Sequence, residues 1–456
     1  MPRALLPNFL GTLGVREIPM RALNLKLWAV LPVILLIHTA PSSAQTVCDA
    51  AEVKLGNNFI QVAPAGADDT ANIQCALDLA VEKRIPEIRL TRGDFYISSL
   101  GVRGFAGTLQ GSGQDHTRIS LLDQAIECGH ASSAITFEGG EPRIRWLHLV
   151  WEPGVQPCAG GSGWLASLLT FTGGTGDETS CATDVVYATV DRVTLDGPAR
   201  GSADVSDFTS GISAWPRDGA SPGCRNLLLG TLRVNRSRIS QFGTGIGFSM
   251  EGGAQAGIFR NTLDRNHRGL SVSNSNATVV VEGNHFASVP TETPSSCHDS
   301  ATGIDVTNWR VQQGSVRLDL HSNVFEVSQG GWCSGFGIWM TREPEAPGVA
   351  VVISDNRFVL SGHDPGVTGI QAVGVSGAVV SGNAFQIQSW GDLALYLGSR
   401  DAAEATAWTV VSNTGLETPL NSVDIVLGEG SSQNVVGPGQ GAAVTDNGFD
   451  NTVLPQ

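Results

Sequence analysis

Six short apolar segments of this chain begin with Gly followed by Ile or Leu, and they recur every 24 to 34 residues. They start at Gly211, Gly245, Gly269, Gly303, Gly337 and Gly369. Within each segment inward apolar residues alternate with other residues, which is typical of a β-strand with one buried face. The regular interval predicts a repeat array rather than several unrelated domains.

A second element alternates with the first and ends in Asn-x-Phe, after apolar strands such as Val279–Val281. It occurs as Asn284-His285-Phe286, Asn323-Val324-Phe325, Asn356-Arg357-Phe358 and Asn383-Ala384-Phe385. If the Asn occupies the same turn of every coil, its amide can hydrogen-bond the copies above and below it, and the Phe points inward and stacks. A propeller is excluded because an interval of 24 residues is too short for a four-stranded blade.

Near the amino terminus, the segment Ala67–Thr70, a helical pattern over Ile73–Lys83, and turns within Leu90–Tyr96 and Leu109–Gly113 precede the repeats. With the repeats, they resemble the right-handed β-helix proteins of the pectate-lyase-like superfamily over about residues 56–453. The resemblance implies an all-β chain, a single-stranded right-handed parallel β-helix of about ten coils with an N-terminal capping helix. It also implies a bias toward polysaccharide-acting enzymes, but it carries no reaction.

The start of the chain predicts export. Arg21 and Lys26 precede the apolar stretch Leu27–Ile37, and the small residues Ser42–Ala44 follow as a cleavage site. A start at Met20 would give this signal an ordinary length, and the apolar stretch is too short for a membrane anchor. We therefore expect a secreted or periplasmic protein. The predicted organisation is a signal peptide over 1–45, an N-terminal cap with helix 73–83 and the first coil over 46–110, and the β-helix body over 111–456.

Composition agrees with short strands and many turns, since 56 of 456 residues are Gly and only 16% are charged. Removing the signal takes four of 28 basic and one of 43 acidic residues, which leaves a net charge of −18. Such a field disfavours nucleic acid and anionic membranes as partners. No later segment is long enough to span a bilayer. We expect a monomer whose partner is a polysaccharide or a cell-envelope glycan.

The strand pattern predicts which side chains face outward. In Gly-Ile-x-Val the Ile and Val point inward, so the x residue and the residue after Val point out. The predicted outward column contains Ser213, Trp215, Gly247, Ser249, Ser271, Ser273, Asp305, Thr307, Trp339, Thr341, Gln371 and Val373, with Thr136, Glu138, Thr170 and Thr172 from earlier coils. In proteins of this fold the binding groove usually follows one such column, which the resemblance implies for this chain.

Eight cysteines in an exported chain predict four disulfides. Cysteines at the same turn of neighbouring coils can be bridged, because such coils bring their Cα atoms within disulfide range. The register pairs Cys297 with Cys333, Cys128 with Cys158 and Cys181 with Cys224, and leaves Cys48 with Cys75 to tie the amino-terminal segment to the helix. Free or metal-binding thiols are the alternative, but no Cys-x-x-Cys spacing supports them.

Three tryptophans and three arginines are candidate binding residues of the face. Trp215, Trp309 and Trp339 project from it or lie just beyond it, with Gln371 further along, and exposed Trp rings stack on sugars. Arg217, Arg310 and Arg342 follow face strands, and an Arg fork suits a uronate carboxylate. Trp packing in loops and Arg pairing with Asp218 or Glu343 are the alternatives.

Candidate catalytic groups lie in the same region. Asp305 is on the face, and His298 and Asp299 lie on the loop before its strand, whereas His363 and Asp364 lie on the loop before the face strand that starts at Gly369. A lyase needs a base for the C5 proton and a cation for the enolate, with Arg310 or Arg342 assisting, whereas a hydrolase needs an acid and a second carboxylate. Asp305 with Asp299 or His298 suits either reaction.

Another charged cluster contains Arg260, Asp264, Arg265, His267 and Arg268, and we interpret it as a surface salt network away from the face. Paired Asp residues, a Gly-His-Gly turn and a Lys base are missing from the face strands. The sequence predicts no cofactor and no metal site, and it leaves Ca²⁺ open. The leading hypothesis is therefore a carbohydrate-active enzyme that cleaves a polysaccharide, with uronate β-elimination favoured over hydrolysis. The alternative is a non-catalytic glycan-binding or surface-structural β-helix.

Overall fold

A computed structural model describes most of the chain after residue 47. The described residues are 48, 52–122, 133–152, 166–173, 185–198, 209–214, 230–248, 254–273, 277–288, 301–308, 316–328, 335–342, 349–362, 366–389, 391–399, 404–415, 425–437 and 443–455. The chain divides into two compact units, Met1–Thr46 and Val47–Gln456, and every described residue belongs to the second. The predicted signal peptide lies outside the described residues.

Three long sheets run side by side through the second unit, with one strand of each sheet contributed by a typical coil. Sheet A consists of β1 Val53–Leu55, β2 Ile60–Val62, β3 Glu87–Leu90, β6 Thr108–Gln110, β9 Arg143–Arg145, β12 Tyr187–Asp191, β15 Thr231–Asn235, β18 Ala254–Phe259, β21 Ala277–Glu282, β24 Val316–His321, β27 Val349–Ser354, β30 Ala378–Ser381, β34 Thr409–Val411, β37 Val435–Val436 and β39 Thr452–Val453. Sheet B consists of β4 Gly93–Ile97, β7 Thr117–Leu121, β10 His148–Val150, β13 Thr194–Asp196, β16 Arg238–Ser240, β19 Thr262–Asp264, β22 His285–Ser288, β25 Val324–Ser328, β28 Arg357–Ser361 and β31 Ala384–Ile387. Sheet C consists of β5 Leu100–Arg103, β8 Ser133–Glu138, β11 Ala166–Thr172, β14 Thr209–Ala214, β17 Thr244–Phe248, β20 Arg268–Ser273, β23 Thr302–Asn308, β26 Phe336–Arg342, β29 Thr368–Val373, β32 Leu393–Gly398, β35 Ile425–Leu427 and β38 Val444–Asp446.

Each coil passes through sheets A, B and C in turn, as β18, β19 and β20 do before β21 returns to sheet A. The strands within each sheet are paired in parallel, apart from the antiparallel pair β1–β2 at the start. A two-stranded sheet, β33 Ala405–Thr406 with β36 Ser431–Ser432, lies near the end. The predicted all-β, parallel repeat architecture is confirmed, and the Gly-Ile segments are the strands of sheet C.

A ladder of asparagines lines the turn between sheets A and B, as the Asn-x-Phe motif predicts. Asn323 is typical: its Oδ1 accepts from the backbone N–H and from Nδ2 of Asn284, each at 3.0 Å, and its Nδ2 donates to Asn356 Oδ1 at 3.0 Å and to the Val281 carbonyl at 2.9 Å. The full ladder comprises Asn261, Asn284, Asn323, Asn356, Asn383 and Asn413. All six are buried, so the ladder pairs backbone groups of the turn that would otherwise lack partners.

The phenylalanines of the same motif stack in the core. The rings of Phe286, Phe325, Phe358 and Phe385 follow one another with centroids 5.0, 4.8 and 4.7 Å apart and nearly parallel planes. They lie in sheet B and face the corner where sheet C begins. Offset stacks of this kind add to the stability that apolar burial provides.

The glycines that open the sheet C strands are required by space rather than by a left-handed backbone. A Cβ on Gly303 would lie 2.6 Å from the Gly337 carbonyl oxygen and 2.8 Å from Phe325 Cδ1. Gly269 and Gly337 meet the next carbonyl and the stacked Phe in the same way. The two sequence motifs are therefore two sides of one contact, because only Gly leaves room for the ring.

One helix, α1, spans Thr70–Lys83 and so begins three residues before the predicted start. Its N-cap residue Asp69 is buried, and its carboxylate accepts the Ala65 N–H at 2.6 Å and the Tyr96 N–H at 2.9 Å instead of capping the helix. Asp68 Oδ1 accepts the Thr70 N–H at 2.9 Å. The helix packs against β2, β3 and β5. That it caps the solenoid remains a prediction.

The predicted disulfide between Cys48 and Cys75 is confirmed, with Cα atoms 5.7 Å apart. It ties the segment before β1 to the buried side of α1. The cysteines of the other three predicted bonds lie outside the described residues; they are Cys128, Cys158, Cys181, Cys224, Cys297 and Cys333. In the described part of the chain, no helix is both long and apolar enough to cross a membrane.

The glycine column generates a stability prediction. Gly337→Ala should lower the free energy of unfolding by about 3 kcal/mol, because its methyl group would overlap a backbone oxygen and a ring that the neighbouring coils hold in place. Gly101→Ala in the same sheet is the matched control, since a Cβ there meets no atom within 4 Å. Urea unfolding of both variants measures the difference, and equal stabilities would contradict the proposed packing role.

Candidate functional site

The outward column of sheet C has the register that the sequence predicts. Hydrogen-bonded neighbours align one residue per coil, and the aligned residues are Thr136, Thr170, Ser213, Gly247, Ser271, Asp305, Trp339, Gln371 and Tyr396. Neighbouring members are about 4.8 Å apart along the solenoid. The column changes character at Asp305, because small or hydroxylated residues precede it and larger side chains follow it.

Asp305 is held by two side chains on the same face. Thr307 Oγ1 donates a hydrogen bond to Asp305 Oδ1 at 2.7 Å, and the Arg268 guanidinium Nε lies 3.3 Å from Oδ2. The Asp305 side chain is 7% exposed whereas the Arg268 side chain is 39% exposed. The pair therefore joins a buried carboxyl group to a guanidinium that solvent or a ligand can reach.

Placing Arg268 in a surface network away from the face is wrong. The strand β20 begins at Arg268, one residue before Gly269. The backbone N–H of Arg268 donates to the Gly243 carbonyl at 2.9 Å. His267 is buried at the preceding position. The Asp264–Arg265 contact, at 3.2 Å, fits the predicted network. The equivalent positions of the adjacent coils are Thr244 and Thr302. An Arg between two threonines at this position was the sequence signal that Arg268 belongs to the face.

Burial raises the pKa of Asp305 above its ordinary value of 3.8, while the Arg268 charge and the Thr307 hydrogen bond act against this rise. The carboxyl group therefore keeps its proton to a higher pH than an exposed Asp. When it is ionised it is also a stronger base. Either property suits proton transfer to or from a sugar.

Two aromatic residues follow Asp305 on the face, separated by Gln371. Trp339 packs on Phe336 with ring centroids 5.5 Å apart, and its Nε1 is buried and has no hydrogen-bond partner among the described residues. Tyr396 lies against Gly398 and Gly428, where a Cβ would come within 3.0 Å of its ring or hydroxyl. Trp339, Gln371 and Tyr396 are all partly exposed. Aromatic faces of this kind can stack on sugar rings.

Sequence reasoning did not single out Tyr396, because its strand lacks the Gly-Ile opening. The signal was the alternation of Leu395 and Leu397, which are buried on either side of it. Arg342 is the last residue of β26 and lies opposite Asn308 of β23, so it belongs to the strand and not to the following turn. Its side chain is partly exposed.

Most loop candidates lie outside the described residues; they are Trp215, Arg217, His298, Asp299, Trp309 and Arg310, together with His363 and Asp364. The structure therefore brings together Asp305, Thr307, Trp339 and Gln371 from the predicted column and adds Arg268 and Tyr396. Across the described segments, no group of three or more His, Cys, Asp or Glu side chains is arranged to hold a metal ion.

Solved structures share this architecture. The fold is similar to the tailspike protein gp208 of Dettilon, with a TM-score of 0.52, 14% identity, and coverage of 85% of this chain and 68% of that one. It is also similar to the A-module of Azotobacter vinelandii mannuronan C-5 epimerase AlgE6, with a TM-score of 0.53, 15% identity, and coverage of 86% and 95%. The protein is a right-handed parallel β-helix. At these identities the similarity concerns the fold alone, and the predicted right-handed parallel β-helix is confirmed.

No protein-family model matches the β-helix, and no curated protein matches it in sequence. Its chemistry must therefore be argued from its own side chains.

The raised pKa of Asp305 makes the stability of the β-helix depend on pH. Because folding raises this pKa, the folded state binds the proton more tightly than the unfolded state, and the group stabilises the fold fully below pH 3.8. That stabilisation is lost as the pH rises from 3.8 through the raised pKa. Over this pH range the free energy of unfolding of wild type should fall relative to that of Asp305→Asn. The fall should be ~1.4 kcal/mol for each tenfold difference in proton affinity between the folded and unfolded states.

Chemical unfolding at a series of pH values tests this expectation. Ser271→Ala is the control, because Ser271 is the neighbour of Asp305 on the face and does not titrate in this range. Its effect on the free energy of unfolding should be the same at every pH. A difference between wild type and Asp305→Asn that does not change with pH would refute the assignment.

Proposed function

We propose that the protein is a carbohydrate-active enzyme that binds a polysaccharide along the outer face of sheet C and cleaves it beside Asp305. The observation that carries the proposal is the sequence of groups along one column: the Asp305–Arg268 pair, then Trp339, Gln371 and Tyr396 on the next three strands. A linear glycan can follow such a column, because each coil presents the next contact about 4.8 Å further along.

The aromatic residues would provide binding. Trp339 and Tyr396 are two coils apart, so their rings can stack on different sugar units while Gln371 hydrogen-bonds to hydroxyl groups between them.

The reaction that we favour is β-elimination at a uronate. Ionised Asp305 takes the C5 proton, the C–H electrons form the C4–C5 double bond, and the C4–O bond breaks. Arg268 neutralises the carboxylate of the uronate and so stabilises the enolate-like charge that develops there. Arg342 or Arg310 assists. His298 or Asp299 would return a proton to the leaving oxygen. The similarity in fold to a protein named a mannuronan C-5 epimerase supports a uronate as substrate.

A second candidate function is glycan binding without cleavage. The observation in its favour is the deep burial of Asp305, together with the flat run of Ser213, Gly247 and Ser271 beside it. Hydrolysis is the alternative reaction, since a protonated Asp305 is also suited to the role of general acid.

We further propose that the protein works as a monomer outside the cytoplasm, secreted or in the periplasm. The signal-like residues 21–44 and the Cys48–Cys75 bond support this localisation. The disulfide is the direct structural support, because such bonds persist in oxidising compartments.

Binding can be tested by affinity electrophoresis in gels containing polygalacturonate, alginate or a neutral β-glucan. Trp339→Ala and Tyr396→Ala should each weaken retardation about tenfold, because each removes a stacking platform. Tyr187→Ala is the matched control, since Tyr187 is 52% exposed on sheet A, away from the proposed groove. Equal loss in all three variants would contradict binding on sheet C.

Cleavage can be followed in the same polysaccharides by the ultraviolet absorbance of unsaturated products and by new reducing ends. Asp305→Asn should reduce the rate at least ~100-fold, because it removes the proton-transfer group while keeping the shape. Asp319→Asn, on sheet A, should leave the rate unchanged. Reducing ends without absorbance would indicate hydrolysis, and binding without either product would favour the non-catalytic function. Full activity of Asp305→Asn would overturn the assigned site.

A further inference from the structure

A row of arginines follows the turn between sheets A and B, on a different side of the solenoid from the proposed groove. Four consecutive coils, through residues 143–148, 187–194, 231–238 and 254–262, carry seven arginines and one aspartate. The arginines, which we call the cationic strip, are Arg143, Arg145, Arg192, Arg233, Arg236, Arg238 and Arg260. The next four coils, through 277–285, 316–324, 349–357 and 378–384, carry two arginines and three acids in the same elements.

The register stacks part of this strip in one column. Arg192, Arg236 and Arg260 occupy the same turn position of successive coils, directly before Val193, Ser237 and Asn261, and Trp146 occupies it one coil earlier. Successive guanidinium groups are therefore anchored about 4.8 Å apart, and the four coils span roughly 14 Å. A linear array of this kind matches a linear polymer that carries regularly spaced negative charges.

The backbone at this position is left-handed, with φ of 56° at Trp146 and 55°, 49° and 55° at the three arginines. In later coils the same turn position holds Gly283, Ser322, Asp355 and Gly382. Residues other than Gly are disfavoured in this conformation, at a cost of about 1 kcal/mol or more each. The strip therefore carries arginines at positions where Gly would suit the backbone better.

Three of the seven arginines lie within 4 Å of an acidic side chain among the described residues. Arg236 pairs with Asp191 at 2.9 Å, Arg238 lies 3.6 Å from Asp264, and Arg145 lies 3.9 Å from Glu87. Arg143, Arg192 and Arg260 make no ion pair with the described residues. The strip thus remains positive in a chain whose formal net charge is −15.

Aromatic rings lie among the arginines. The Arg145 guanidinium stacks on Trp146 with 4.5 Å between its carbon and the ring centroid, and Arg233 lies over Phe259 at 5.6 Å. Beyond Arg145, on the neighbouring sheet B strands, a pocket of about 350 Å³ is lined by Arg92, Asp94, Asp115, His116, Arg118 and His148. Its mixed charges and polar lining resemble a site for one sugar unit more than a site for a lipid chain.

We propose that the cationic strip is a second carbohydrate site, which binds an anionic polysaccharide along the solenoid axis. Carboxylate or sulfate groups of successive sugars would contact Arg192, Arg236 and Arg260, while Trp146 provides a face for a sugar ring. The site is independent of the proposed reaction on sheet C. It would hold the protein on an acidic glycan whether or not that glycan is also cleaved.

The test measures affinity for polygalacturonate by isothermal titration at several salt concentrations, in a Trp339→Ala background that removes a sheet C contact. The variant Arg192→Gln/Arg236→Gln/Arg260→Gln should bind at least ~10-fold more weakly at low salt and show a smaller dependence on salt. The matched control is Arg84→Gln/Arg317→Gln/Arg357→Gln, which removes the same charge elsewhere and includes Arg84, also left-handed at φ 54°. The control should bind like the parent.

A thermal melt checks that each variant folds. If the triple variant does not fold, the double variant Arg192→Gln/Arg260→Gln replaces it, because it leaves the Arg236–Asp191 pair intact. Absence of salt-dependent binding by the parent, or equal loss in the triple variant and its control, would overturn the proposal. So would equally tight, strip-dependent binding of a single-stranded oligonucleotide or of phosphatidylglycerol vesicles, because the partner would then be a different class of polyanion. If the protein binds polygalacturonate through the strip but cleaves none of the polysaccharides, only the proposed reaction is refuted.

Discussion

The structure depends on the stacking of coils at the interval of one β-strand, and the asparagine ladder is what makes this stacking specific at the turn between sheets A and B. Each amide pairs with the next coil through both its oxygen and its nitrogen, so a coil that slipped by one residue would leave several buried polar groups without partners. The Gly and Phe columns impose the same register from the corner between sheets B and C. Together they hold every outward side chain in line with its counterparts.

This alignment explains why chemistry in this protein is organised in columns. A side chain in one coil meets those in the adjacent coils at the same position, so interactions that matter are between residues about 20 to 45 positions apart. Asp305 meets Arg268 in this way, across two strands of sheet C, and Asp191 meets Arg236 on sheet A.

Two faces of the β-helix carry different chemistry. The sheet C column offers a buried carboxyl group with a raised pKa and partly exposed aromatic residues, which suit a reaction on one sugar and binding of its neighbours. The turn between sheets A and B offers arginines at intervals of one coil, of which Arg192 and Arg260 make no ion pair with the described residues, and such an array suits long-range attraction of an acidic polymer. A protein with negative net charge that acts on an acidic glycan has a physical need for such a local positive surface.

The sequence alone determined the repeat, the outward register of sheet C and the asparagine and phenylalanine stacks, because each follows from a residue pattern repeated at one strand or turn per coil. The Cys48–Cys75 bond was also predicted, as the pair that remained after the other six cysteines were assigned to coils. The sequence did not determine that Arg268 contacts Asp305, because that contact depends on where β20 begins relative to the coil above it. Nor did it indicate Tyr396, whose strand departs from the motif. The burial of Asp305, and therefore its pKa, was decided only by the tertiary structure, since desolvation depends on all the atoms around a group and not on its position in a repeat.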